Sequence, residues 1–215
     1  MNETELLFFK LSINSKIPIK NEKFSDERNL KKISEINTRF YNVGLACEAN
    51  NLLVLDIDGK NEGLEEWADY VAQNDEPLTV KQTTPNNGFH NIFNETNEKY
   101  TEEENVLIKR LLNKAGYRNK GSDIRKGNGY IVCEPSIINH KKYEFIRHYK
   151  DHEILNMTLS LIKWLLEKEK IKINNKSSSS FIIINILLLN EVFIFSIFSF
   201  SNNHLIRDKV IFKIS

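Results

Sequence analysis

Glycine and proline are scarce and unevenly placed. The 215 residues hold 8 Gly and 4 Pro, and all of them lie between Pro18 and Pro135, so tight-turn chemistry is confined to the first two thirds. Cysteine is scarcer still. Cys47 and Cys133 sit in apolar neighbourhoods, far from any Cys-x-x-Cys spacing, which argues against a thiolate zinc site and for small core residues in a reducing compartment. No basic stretch precedes the short apolar patch of the N-terminus, MNETELLFFKLSINSK, so no secretory signal is expected. Charge of one sign is lacking too: 30 Lys and Arg face 29 Asp and Glu. Any surface for a polyanion must therefore be local. What is present, 27% charged and 40% hydrophobic residues, describes a globular chain. Its length suits one domain with a sizeable core, or one domain plus an appendage.

Periodicity predicts a mixture of helices and strands. Leu30, Ile33 and Ile36 recur at helical spacing across Arg28 to Ile36, behind Ser25. Asn42 to Cys47 and Leu52 to Asp58 read as strands around a polar turn, Glu48 to Asn51. Asn61 to Asn74 reads as a helix with Leu64, Trp67, Ala68 and Val71 on one side, and Gly88 to Asn94 as a strand. Thr101 and Glu104 form a capping box before Leu107, Ile108, Leu111, Leu112 and Ala115, with Gly116 as the stop. Gly129 to Cys133 and Tyr143 to Ile146 read as strands joined by a turn near Asn139 to Lys142. A last amphipathic helix starts at Ile154 and ends near Lys170. The reading is an α+β or α/β domain over residues 1–172.

From Asn174 onward the alphabet narrows. The last 42 residues lack Gly, Ala, Pro, Thr, Gln, Tyr and Trp, and residues 173–215 form a low-complexity apolar tail expected to lie outside the fold. FIIINILLLNEVFIFSIFSF, Phe181 to Phe200, is 20 residues long, the span of a bilayer helix. Glu191 at its middle, with Asn185 and Asn190, opposes that reading, and its β-branched and aromatic bias suits strand. A foreign tail, a membrane anchor and an extension of the fold remain the three alternatives, and a membrane partner is not expected.

The chemistry-bearing residues begin with LVLDIDGK, Leu53 to Lys60. Alternation along a strand puts Asp56 and Asp58 on one face. Two carboxylates that close repel unless a cation or a shared proton lies between them; otherwise the segment is a solvated strand end running into a turn at Gly59. TTPNNGFHNIF, Thr83 to Phe93, adds a tight turn delivering His90. KGSDIRKGNGYIVCEPS, Lys120 to Ser136, adds Asp123, Arg125 and Lys126 in what reads locally as a polar loop. Lys16 lies in NSKIPIK, and Gly44 in YNVGLAC marks a close approach of another group to a strand. Between Lys99 and Lys150 twelve Lys or Arg face six Asp or Glu, a local basic surplus suited to phosphates. Phe89, Tyr130 and Tyr143 are either core residues or platforms for bases.

In order, Lys-x-Pro, Asn-x-Gly, an apolar strand ending in Asp-x-Asp, Thr-Pro-x-x-Gly-x-His, then Gly-x-Asp-x-Arg followed by Gly-Tyr and Pro-Ser resembles the prim-pol domain. This is the N-terminal bifunctional DNA primase/polymerase module of the archaeo-eukaryotic primase superfamily, common in plasmids, phages, viruses and other mobile elements. The resemblance runs from about Ile13 to Phe145. It implies an α+β fold in which an RRM-like catalytic sheet joins a second small α/β unit, with the active cleft between them. It also implies a nucleotidyltransferase that extends a 3′-hydroxyl on single-stranded DNA during replication. Asp56, Asp58 and Asp123 match the carboxylates that hold two Mg²⁺ or Mn²⁺ ions, and His90 matches the histidine on the incoming NTP or dNTP. Lys16, Gly44, Arg125 and Lys126 are further nucleotide-binding candidates. Location inside the cell, with DNA, follows from that role.

Two departures stand out. Asn87 occupies a position where glycine is common, and Asn tolerates positive φ; Glu134 replaces a usually apolar or small residue before Pro135. The chain has no Gly-x-x-x-x-Gly-Lys-Ser/Thr loop, so either a separate replicative helicase is expected as partner or the chain is a fragment of a helicase fusion. Two alternatives are kept. One is a catalytically inactive nucleic-acid-binding remnant of the fold. The other is a haloacid-dehalogenase-type phosphatase, which shares Asp-x-Asp-Gly but needs a later Lys and an acidic pair that are missing here.

Overall fold

The structure, a computed structural model, describes residues 5–117, 121–176, 183–189, 192–201 and 204–213, and from residue 168 onward the backbone alone. It divides into two compact units, residues 1–167 and 168–215.

The first unit is built from β1 (Phe8–Ser12), β2 (Tyr41–Ala46), β3 (Leu52–Ile57), α1 (Gly63–Gln73), β4 (Val80–Thr83), β5 (Phe89–Asn94) and α2 (Glu102–Arg110). It continues through β6 (Ser122–Arg125), β7 (Tyr130–Cys133), β8 (Ile137–Ile138), β9 (Lys141–Lys142), β10 (Glu144–Arg147) and the start of α3 (Leu159–Lys176). Among the described residues, ten strands and three α-helices in alternation with loops make a mixed α+β architecture with a sheet-rich core. Two sheets carry it: β1-β2-β7, and the five-stranded β10-β4-β5-β3-β6. Every pairing in both is antiparallel.

Strand β3 is apolar on both faces because both are covered. Leu53, Leu55 and Ile57 point to one side, into a core with Trp67 and Tyr70 of α1, Ile108 of α2, and Leu161, Ile162, Leu165 and Leu166 of α3. Leu52 and Val54 point to the other, against Phe8, Val43, Leu45, Ile131 and Cys133 of the three-stranded sheet. Each buried Leu, Ile or Phe contributes about 1.5–3 kcal/mol. Both cysteines are buried and free; burial pushes the Cys47 thiol up to about 12 and raises that of Cys133 as well.

Several sequence expectations change. Arg28 to Ile36 is not one helix but two single 3-10 turns, Glu27–Asn29 and Ile33–Glu35. Between them Lys31 pairs with Phe8 through reciprocal 2.7 Å backbone bonds, and that extended pairing interrupts helical dihedrals. Helix α2 begins at the expected capping box, with Glu104 N–H donating to Thr101 Oγ1 at 3.2 Å and Thr101 N–H to Glu104 Oε2 at 2.8 Å. It ends at Arg110 rather than near Gly116, because Lys114 is drawn into backbone pairing with Ile124. The Asp123 segment is a strand, β6, instead of a loop. Strands β7 and β10 belong to different sheets, and the small β8–β9 hairpin lies between them. The last helix starts at Leu159, and β1 and β4 carried no clear signal.

In the second unit the tail forms an antiparallel meander, β11 (Ile183–Leu189), β12 (Val192–Ser201) and β13 (His204–Lys213). Among the described residues no helix is long and apolar enough to cross a membrane.

Candidate active site

Register brings the site together. Asp56 of β3 stands opposite His90 of β5 on one side and opposite Asp123 of β6 on the other, while His90 stands opposite Gln82 of β4. Directly opposed residues share a face, so Gln82, His90, Asp56 and Asp123 form one row across four adjacent strands. The row lies on the face turned to the three-stranded sheet, where Leu52 and Val54 also point.

Loops hold that end of the sheet closed. A Cβ on Gly88 would lie 2.2 Å from the Ile57 carbonyl oxygen, and one on Gly59 would lie 2.1 Å from that of Asn86. Only glycine lets the Thr84–Gly88 turn and the chain after β3 approach so closely. The turn is secured by Thr84 N–H donating to Gly88 O at 2.9 Å, with Asn87 at φ 61°. Asn87 thus fills the role expected of it.

The row opens into a pocket of about 400 Å³ lined by Lys16, Asp56, Asp58, His90, Asp123 and Arg125, together with the Thr84–Asn86 turn, Asn139, Lys141 and Tyr143. An adjoining hollow of about 300 Å³ shares Lys16, Asp56, His90, Arg125 and Tyr143 and continues past Asn113 and residues 128–132. Asp58 lies just beyond the end of β3, its N–H donating to Gly121 O at 2.8 Å and its Oδ1 accepting from Lys60 N–H at 3.3 Å. His90 is buried, with Nε2 3.4 Å from Asp56 Oδ1. Burial works against ionisation of Asp56, but His90, Arg125 and Lys16 together hold its carboxyl below the usual carboxylate range. Asp123 accepts from Gly116 N–H at 2.6 Å and is paired with Arg125. Tyr143 has a buried ring, and desolvation, reinforced by the charge of Asp56, raises the pKa of its hydroxyl.

Not every candidate comes to the pocket. Lys126 lies just past the end of β6 and away from the pocket, where it meets Glu95 at 3.0 Å and the Ile108 carbonyl at 3.3 Å. Gly44 is absent from the lining: a Cβ there would lie 2.3 Å from the Phe9 ring, so the close approach it permits is core packing. Phe89 is a core residue packed on Trp67, and Tyr130 packs on Phe9 and Phe24 while its hydroxyl donates to Lys16 O at 2.9 Å. Part of the basic surplus is spent in ion pairs, Lys126 with Glu95 and Arg147 with Glu76; Arg118 and Lys120 lie outside the described residues. Glu134 accepts from Phe145 N–H at 2.6 Å and ties β10 to the turn after β7. Asn139, Lys141 and Tyr143 join the pocket lining and Gln82 joins the register row; nothing local in the sequence signals Asn139, Lys141 or Gln82 for the site.

Among the described residues no three His, Cys, Asp or Glu side chains are gathered at metal-binding spacing. The donors that share the pocket are nevertheless mainly carboxylate oxygens, the kind that suits Mg²⁺ or Mn²⁺ over softer metals.

Carboxylates, a histidine and cations thus converge on one pocket of a mixed α+β fold. The model of the bifunctional DNA primase/polymerase, N-terminal family matches residues 3–157, and the chain belongs to that family. No curated protein matches the chain.

Proposed function

We propose that this chain is a divalent-metal-dependent DNA primase/polymerase that adds NTP or dNTP units to a 3′-hydroxyl on a single-stranded DNA template, inside the cell and with a separate helicase as partner. The carrying observation is the register row of His90, Asp56 and Asp123 beside Lys16, Arg125 and Asp58 in one pocket. The five-stranded sheet is read as the RRM-like catalytic sheet, the β1-β2-β7 sheet as part of the small α/β partner of that sheet within residues 1–167, and residues 173–215 as lying outside the catalytic fold. The family context suits replication of a mobile element.

Asp56, Asp58 and Asp123 would hold the cations, with water and substrate phosphates completing coordination. A divalent cation held by these residues would supply Lewis-acid activation of a hydroxyl and charge neutralisation at a departing pyrophosphate. The chain's own cations have a simpler task. Lys16 and Arg125 face the pocket and attract the triphosphate, and His90 offers an N–H donor to phosphate oxygens whose charge grows in the transition state. Arg125 is preset by Asp123, so loading the site requires that carboxylate to be shared between Arg125 and a cation.

The engagement of Asp123 with Arg125 and Gly116 also favours a second reading, a nucleic-acid-binding form without turnover. The phosphatase alternative falls with the family assignment. The deciding experiment is nucleotide incorporation by the full chain on single-stranded DNA, with and without an annealed primer, in Mg²⁺, Mn²⁺ and excess chelator. Metal-dependent product establishes the polymerase, and product without primer makes it a primase. Folded protein that binds template but forms no product in either metal overturns the proposal in favour of the inactive form.

A further inference from the structure

The polar residue next to His90 in the register row has no part in the reading above. Gln82 is fully buried, and all three of its polar contacts are accounted for. Its Nε2 lies 2.7 Å from the Val132 carbonyl oxygen and 2.7 Å from His90 Nδ1, and its Oε1 accepts from Glu134 N–H at 3.2 Å. A carbonyl can only accept and a backbone N–H can only donate. The two β7-side contacts therefore fix which end of the amide is nitrogen, a choice usually left open for Asn and Gln. One amide hydrogen goes to Val132, so the other is aimed at His90 Nδ1.

A donor aimed at Nδ1 requires a lone pair there. The ring proton then resides on Nε2, which faces Asp56 and the pocket. We propose that Gln82 is a positioning residue that locks His90 as its Nε2–H tautomer, so that the nucleotide phosphates meet an N–H donor and never a lone pair. The inference rests on the polymerase reading for its functional consequence and on geometry alone for the tautomer. The lock extends through Glu134, whose N–H orients Gln82 and whose carboxylate is held by Phe145 N–H. That gives the unusual residue before Pro135 a reason to be tolerated: its backbone is what the site uses.

The test is a ¹⁵N spectrum of histidine-labelled full chain, free of metal and nucleotide, in neutral to mildly alkaline buffer, with His90 assigned by its loss in His90→Gln. The expected result is an unprotonated-type shift at Nδ1 and a protonated-type shift at Nε2. Gln82→Leu should average the two tautomers, and Gln82→Glu, whose carboxylate accepts from Nδ1–H, should move the proton toward Nδ1. In either variant kcat for incorporation should fall about 10- to 100-fold, by analogy with the partners that orient metal-ligating histidines, with KM for the nucleotide changed less. A protonated Nδ1 in the wild-type chain overturns the proposal even if neither variant folds. So does a variant that reverses the tautomer and keeps wild-type kcat. Because the spectrum is recorded without substrate, it decides the tautomer whether or not the chain polymerises, and wild-type incorporation separately decides the reading on which the role rests.

Discussion

Three aspartates line one pocket, but they are not equivalent as residues. Asp58 accepts a single long bond from Lys60 N–H, so Asp58→Asn should change stability by no more than about 0.5 kcal/mol, as for an ordinary surface substitution, while incorporation is lost. Asp123 is tied to Gly116 and Arg125. Asp123→Asn strips a charge partner from Arg125 and should cost about 1–2 kcal/mol as well as activity, within the range for a lost charged hydrogen bond. Urea unfolding of both variants alongside incorporation separates the two roles; an active Asp58→Asn enzyme would remove Asp58 from the metal set. The same scale explains Lys126. It is adjacent to Arg125 in sequence, and neighbouring residues of an extended chain turn their side chains to opposite sides.

At the scale of elements, the site depends on how closely loops pack at the end of the central sheet. Gly88→Ala would drive a methyl group into the Ile57 carbonyl, with backbone and not a flexible side chain as the obstacle. The expected cost is about 2–3 kcal/mol, the upper part of the overpacking range, with incorporation lost as the His90 strand shifts. Thr101→Ala removes one half of the capping box of α2 and should cost about 1 kcal/mol without touching the pocket. Thermal unfolding and incorporation measured on both variants test whether the turn is coupled to the site and the helix cap is not. The capping box was legible in sequence because it is local chemistry at a fixed spacing. Strand β6 was not, since SDIR is too short and polar to signal a strand until β3 supplies its partner.

Across the whole first unit, the opening half of α3 is core. Leu161, Ile162, Leu165 and Leu166 are buried with Trp67 and Tyr70, although the family match stops at residue 157. A chain ended after Lys176 should keep the melting temperature of the first unit and its incorporation activity. One ended after Thr158 loses four buried side chains at about 1.5–3 kcal/mol each, comparable to the total stability of a domain, and should fail to fold. Calorimetry of the two truncations against the full chain checks this.

Local patterns along the chain supply the ingredients: an apolar strand ending in Asp-x-Asp, a glycine-bearing turn before His90, an acid with an arginine two residues on, and an order of motifs specific enough to name the family. These are readable because spacing and turn chemistry act within a few residues. Which ingredients meet depends on long-range strand pairing. Antiparallel register put His90 and Asp123 on either side of Asp56, turned Lys126 away, filled the space at Gly44 with Phe9, and set the buried Gln82 against His90. Register is fixed by pairing between segments far apart in the chain, and no local pattern in the sequence encodes which residue stands opposite which.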